Sequence, residues 1–258
     1  RLQGLVVATT FVVVPLIGFG IERLAGGHLD SGLVTGLMFV ALLPSTVQSS
    51  IAFTSIARGN VPAALCAASL SNLAGVVITP VLATLLLSAG AGSMSLDAVR
   101  DIALQILLPF IVGQCAGPFI GGWLGRQKTL TMFFDRGSIL LVVYSAFSAG
   151  VVAGIWSKVT PQSLALVIVL DFVMLVIVLV FTTAASRLLR FPIMDEIAIV
   201  FCGSKKSLAS GVPMAGVLFP AAQVGALILP LMIFHQLQLL ACAVIARRYA
   251  QAEPPANA

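Results

Sequence analysis

Eight apolar runs, at about 4–21, 32–57, 61–89, 101–121, 137–156, 163–186, 196–219 and 223–246, occupy almost the whole of this chain. About 17–25 apolar residues suffice to carry a helix across the roughly 30 Å hydrocarbon core of a bilayer. In lipid, a helix satisfies all its backbone groups within the segment. With 9% charged residues against 59% hydrophobic ones, the chain also lacks the charge to coat a water-soluble globule of 258 residues. The expected fold class is therefore all-α, a polytopic membrane protein of about eight transmembrane helices.

The remaining composition narrows the class. The net charge of +5 comes from Lys and Arg placed singly between apolar runs, so nucleic-acid binding is not expected. Cys66, Cys115, Cys202 and Cys242 lie in different runs without CxxC spacing; they read as small buried thiols rather than a zinc site or disulfides. No cofactor is implied. Arg1-Leu2-Gln3 leads straight into an apolar run with no cleavable-signal pattern. Nine Lys and Arg fall on one side of the spans (Arg1, Arg58, Arg126, Lys128, Arg136, Arg187, Arg190, Arg247, Arg248) and three on the other (Arg23, Arg100, Lys158). The positive-inside rule makes the richer side, with both ends of the chain, cytoplasmic. Trp123 and Trp156 read as interface anchors, and 251–258 as a short polar tail.

The other two basic residues, Lys205 and Lys206, sit inside the seventh run, in Gly203-Ser204-Lys205-Lys206-Ser207-Leu208-Ala209-Ser210-Gly211 with Pro213 beyond. A lysine at the centre of a membrane helix costs about 2.5–3.5 kcal/mol on insertion scales, and groups that expensive usually face a cavity or carry a function. The second run is broken similarly at Pro44-Ser45-Thr46-Val47-Gln48-Ser49-Ser50-Ile51-Ala52. The order plain, broken, proline-bearing (Pro80) in the first three spans recurs in the last three, with Pro230. Paired broken helices of opposite orientation point to an inverted-repeat secondary transporter with its site near the midplane. The expected single transporter domain has a core of 1–89 and 163–250 and a partial panel of 101–156. Completing the repeat would take about two helices before residue 1, so truncation from ten is expected.

Three stretches carry a family likeness: Leu43-Pro44-Ser45-Thr46-Val47-Gln48-Ser49-Ser50-Ile51-Ala52-Phe53-Thr54-Ser55, Phe201-Cys202-Gly203-Ser204-Lys205-Lys206-Ser207-Leu208-Ala209, and Pro230 to Leu239 with His235, Gln236 and Gln238. They resemble the bile acid:sodium symporter family, in particular a bacterial symporter-like branch with the Gly-Ser-Lys-Lys-Ser-Leu-Ala run. The resemblance implies a ten-helix fold with two crossing broken helices, an organic-anion substrate, an ion-coupled cycle and residence in the bacterial inner membrane. In that alignment Val200 takes the place of a sodium-binding glutamate and Ser204 that of a glutamine. Ser50 keeps the serine of a Ser-Asn pair, Ala64 and Ala68 replace ligands, and Thr10 lands on a polar position. Sodium, where bound, is expected near Ser49, Ser50 and Ser204, and the coupling ion is Na⁺ or H⁺.

The candidate substrate- and ion-binding set is Lys205, Lys206, Ser204, Ser207, Gln48, Ser49, Ser50, Thr10, Ser69, Asn72, Asp171, His235 and Gln236, with no catalytic residues. An ammonium group can stand in for Na⁺ against half-helix carbonyls. One lysine is then a candidate to load a proton and the other to hold a carboxylate or sulfate; the plainer alternative is that a lysine pins the broken helix. Asp171, the only acid within a span, is either relayed to a lysine or a neutral helix contact. His235 lines the cavity or bonds a neighbouring helix. Asp195-Glu196 reads as helix-start acids. A channel-like or regulatory membrane protein is the alternative function. An intramembrane Ser-Lys enzyme is disfavoured, because adjacent helical residues point about 100° apart.

Overall fold

The structure, a computed structural model, describes residues 1–87, 104, 108–152, 154 and 159–251. Every regular element among them is helical. In chain order these are α1 (Leu2–Ala25, with a π-helical stretch at Thr9–Val13), α2 (Ser31–Leu42), α3 (Val47–Ile56), α4 (Val61–Leu87) and α5 (Leu108–Arg126). They continue with α6 (Lys128–Val152), α7 (Pro161–Leu188), α8 (Ile193–Ser204), α9 (Leu208–Leu218) and α10 (Ala221–Gln251).

Among the described residues, α1, α4, α7 and α10 are each long and apolar enough to cross a membrane, and α2 with α3 makes one further span bent by 61°. The α8–α9 pair, with its two lysines at the break, does not join them by that measure. The outward faces carry the signature of lipid contact: Val12 and Leu16 on α1, Leu73 and Val81 on α4, Phe172 and Val180 on α7 are all large, apolar and exposed. In such a bundle apolar residues line both faces of a helix. For that reason Cys66 and Cys115, expected inside, lie exposed, while Cys202 and Cys242 are buried.

One boundary differs from the sequence reading. Residues 121–136, expected as a connection, are helical except at Gln127, where α5 ends and α6 begins. The stretch Thr129 to Phe134 has no glycine or proline to break a helix, so the charges near it mark an interface rather than a loop. The 89–100 connection, Arg100, Trp156, Lys158 and the 252–258 tail lie outside the described residues. Trp123 is exposed, as an anchor would be.

Both breaks are extended backbone. α2 ends at Leu43 (ψ 152°) and α3 starts after Thr46 (ψ 123°); α8 ends at Lys205 (ψ 146°) and α9 starts after Ser207 (ψ 108°). The breaks touch: the Ser207 amide donates to the Pro44 carbonyl at 2.9 Å. Small residues permit this approach. A Cβ on Gly75 of α4 would meet the Pro44 ring at 2.5 Å, and one on Gly211 of α9 would meet Leu43 at 2.5 Å.

Candidate functional site

Where the two breaks meet, the extended residues leave backbone groups without helical partners, and side chains from α4, from α10 and from the breaks themselves satisfy them. The Lys206 amide donates to Oε1 of Gln238 on α10 at 2.8 Å, and Gln238 Nε2 returns a bond to the Lys206 carbonyl at 2.9 Å. Thr46 Oγ1 donates to the same carbonyl at 2.9 Å. On the other break, the Ser45 amide donates to Ser71 Oγ of α4 at 3.1 Å, and Thr79 Oγ1 donates to the Leu42 carbonyl at 2.8 Å. Ser207 caps α9 by accepting from the Ser210 amide at 3.1 Å, and Ser210 Oγ donates to Asn72 Oδ1 at 3.0 Å.

The Lys206 side chain runs into this junction and is 1% exposed. Its Nζ donates to three main-chain carbonyls, Leu43 at 2.8 Å, Ala41 at 2.9 Å and Thr10 at 3.1 Å. Two of these lie at the C-terminal end of α2, where unpaired carbonyls concentrate negative partial charge. The third belongs to the π-helical stretch of α1, an irregularity of a kind frequent at functional sites. All three ammonium donors are used.

Lys205 points the other way. It is 0% exposed, its Nζ makes no hydrogen bond, and it lies 3.8 Å from the centroid of the Phe53 ring on α3. Phe201 of α8 packs on Phe53 with centroids 5.9 Å apart, and Tyr249 of α10 packs on Phe201 at 6.4 Å.

The other candidates separate into distinct places. Ser50 Oγ donates to the Phe201 carbonyl at 3.1 Å and Ser204 Oγ to the Val200 carbonyl at 2.6 Å, so both hydroxyls bond to the α8 backbone. The hydroxyls of Ser49 and Thr10 are buried and have no partner. His235 Nδ1 lies 2.9 Å from Gln238 Nε2, which joins it to the Lys206 clamp. Gln48, Ser69 and Gln236 are exposed, each two positions away from the buried Ser50, Ser71 and Gln238 that face the junction. A slip of this size turns a side chain across a helix, and the spacing of three between His235 and Gln238 was the signal that would have selected the right glutamine. Asp171 is buried on α7 with neither carboxyl oxygen bonded, and it meets neither lysine.

Asp195 and Glu196 do more than begin α8. Asn60 Nδ2 donates to Asp195 Oδ1 at 2.7 Å. Glu196 takes Arg187 Nε at 3.1 Å and the Tyr249 hydroxyl at 2.9 Å, which ties α7, α8 and α10 together at one face. Sequence alone showed the acids; their partners are 9 to 135 residues away.

A family model described as the SBF-like CPA transporter family matches residues 1–251. The Pseudomonas aeruginosa protein PA2026 is 52% identical over 259 residues, covering 100% of this chain and 78% of that protein. The Escherichia coli protein named "Putative symporter YfeH" is 49% identical over 249 residues, 96% of this chain and 75% of its own. The Xenopus tropicalis sodium/bile acid cotransporter 7 is 28% identical over 219 residues, 84% of this chain and 64% of its own.

Proposed function

The chain belongs to the SBF-like CPA transporter family, integral membrane transporters of the bile acid:sodium symporter type, and from that membership we propose that it is a secondary active transporter of an organic anion driven by H⁺ rather than Na⁺. The observation that carries the choice of ion is the placement of Lys206. Its ammonium takes the carbonyls at the end of α2 that would otherwise attract a cation, and it supplies the positive charge itself. The hydroxyls of Ser50 and Ser204 are taken up by backbone carbonyls, while those of Thr9, Thr10, Ser45 and Ser49 are buried without a partner. The buried acid Asp171, without an ion-pair partner, is a second group able to carry a proton.

In this reading α1–α4 and α7–α10 form the core, and α5 and α6 are part of the panel against which it rocks. The face holding Arg58, Arg187, Arg190, Arg247 and Arg248 is cytoplasmic in a bacterial inner membrane. The substrate is amphipathic, and a bile acid is the natural first probe given the printed name of the cotransporter relatives.

Uptake of radiolabelled taurocholate and of smaller organic anions into proteoliposomes holding the full-length protein tests this, with H⁺ and Na⁺ gradients imposed separately. Concentrative uptake driven by the H⁺ gradient alone is expected. Uptake that needs Na⁺ overturns the assignment of the coupling ion, and equilibration without accumulation under either gradient favours a channel-like protein.

A further inference from the structure

Glu196 sets the ends of α7 and α10 at one level. Itself only 3% exposed, it accepts from Arg187 Nε of α7 at 3.1 Å and from the Tyr249 hydroxyl of α10 at 2.9 Å. Both helices carry a basic residue in the last turn, Arg187 on one and Arg248 on the other. The clasp therefore brings two arginines to one face of the bundle.

Leu179 and Thr183 of α7, Val200 of α8 and Ile245 of α10 wall an apolar cavity of about 300 Å³ beside the clasp, with Arg248 and Tyr249 also lining it. Leu179 and Ile245 are half-buried, and next to them Val180 and Val244 are 62% and 54% exposed, so the cavity continues into the lipid-facing surface of α7 and α10. The charge at its mouth is not balanced. Glu196 is neutralised by Arg187, whereas Arg248 is exposed and has no acidic partner among the described residues. Arg187 spends Nε and one Nη on Glu196, and its side chain is 65% exposed. A guanidinium has five N–H donors, so its outer edge still has donors to offer.

A soluble anion would engage the arginines and leave the apolar walls wet, and a neutral hydrocarbon would fill the cavity and ignore the charge. A molecule with a phosphate at one end and a chain at the other satisfies both. We propose that this cleft binds one anionic phospholipid of the adjoining leaflet. The phosphate accepts from Arg248 and from the free edge of Arg187, whose planar fork matches two phosphate oxygens. One acyl chain enters the cavity between α7 and α10. The site requires only that the chain lie in a bilayer, so it stands apart from the substrate and the coupling ion.

The test is native mass spectrometry of the purified full-length protein, stripped of lipid in detergent and given equal amounts of phosphatidylglycerol and phosphatidylcholine with the same chains. The identity of the first bound lipid reads the head-group preference. Wild type takes phosphatidylglycerol in roughly tenfold excess or more, since each arginine near an anionic head group is worth about fivefold. Arg248→Gln lowers that excess about fivefold and leaves the lipid-free unfolding temperature unchanged, because the residue is exposed and unpaired. Arg248→Lys keeps the preference in part. Thr183→Phe fills the cavity while both arginines remain, so binding of both lipids weakens and their ratio is kept; the Thr183 hydroxyl bonds only to the Leu179 carbonyl one turn back, and little stability is lost. Glycerol 3-phosphate, which has the phosphate without the chains, does not displace the lipid at equal concentration. Equal uptake of the two lipids by wild type, or a ratio in Arg248→Gln within about twofold of wild type, overturns the proposal. Undiminished binding to Thr183→Phe overturns it as well, and displacement by glycerol 3-phosphate marks a site for a soluble phosphate instead.

Discussion

Lys205 and Lys206 are adjacent in sequence and equally buried, yet the fold treats them in opposite ways. Lys206 turns toward α1 and α2, where two chain irregularities leave carbonyls facing inward, and its ammonium completes them. Lys205, rotated by one residue in an extended break, turns toward α3, where its Nζ lies over the Phe53 ring and makes no hydrogen bond. One charge is part of the backbone's hydrogen-bond completion and the other is left free to bond something else. A lysine in a membrane is therefore functional or structural according to how many acceptors meet its Nζ, and the cost of burying it does not distinguish the two.

Substitutions at this junction can break the contrast, and the largest effect is expected at Lys206. In Lys206→Met three buried carbonyls lose a charged donor. At about 1–3 kcal/mol for each acceptor left without a partner, the loss outweighs that of any other single change proposed for this junction. A fall in the apparent unfolding temperature of about 10 °C or more, measured in detergent, is expected from the usual few degrees per kcal/mol for a chain of this size. A variant as stable as wild type would place Lys206 with Lys205 and end the distinction. Lys205→Met removes no hydrogen bond and is expected to leave the unfolding temperature close to that of wild type, which is the other half of the same comparison.

Gln238→Leu comes next. It removes the two Gln238 bonds to the Lys206 main chain and leaves only Thr46 on the carbonyl, and a loss of about 1–3 kcal/mol is expected. Because the break would loosen and shift Lys206, the unfolding temperature should fall in the same direction but less than in Lys206→Met. Equal stability would mean that the extended break is held by the α8 and α9 packing alone. The smallest effect belongs to Phe53→Leu, which takes away the ring beneath Lys205 while keeping an apolar neighbour. About 0.5–2 kcal/mol of cation–π attraction disappears, so the unfolding temperature should fall by a few degrees. A large drop in stability would show that the ring holds Lys205 structurally.

Much of the architecture was legible in the chain itself. The apolar runs, the two glycine-, proline- and serine-rich interruptions and the repeated order of plain, broken and proline-bearing spans follow from which residues tolerate lipid and which cannot continue a helix. The same signals misled where one residue decides a direction. The polar stretches point to Ser69 and Gln236, yet Ser71 and Gln238 are the members that face inward, because composition shows only that a stretch is polar while the helical angle and the neighbouring helices decide which member is buried. The acids Asp195 and Glu196 were visible, but Asn60 and Tyr249, which they bond, are contributed by elements far along the chain.

By itself, then, the sequence determined that this protein lives in a membrane, that two of its helices are broken, and that two lysines lie at one break, because hydrophobicity and helix-breaking are properties of residues in order. Only the tertiary structure decided which lysine has its donors filled and which is free. That depends on carbonyls supplied by α1 and α2, more than 160 residues earlier in the chain, and such convergence in space has no trace in the local sequence.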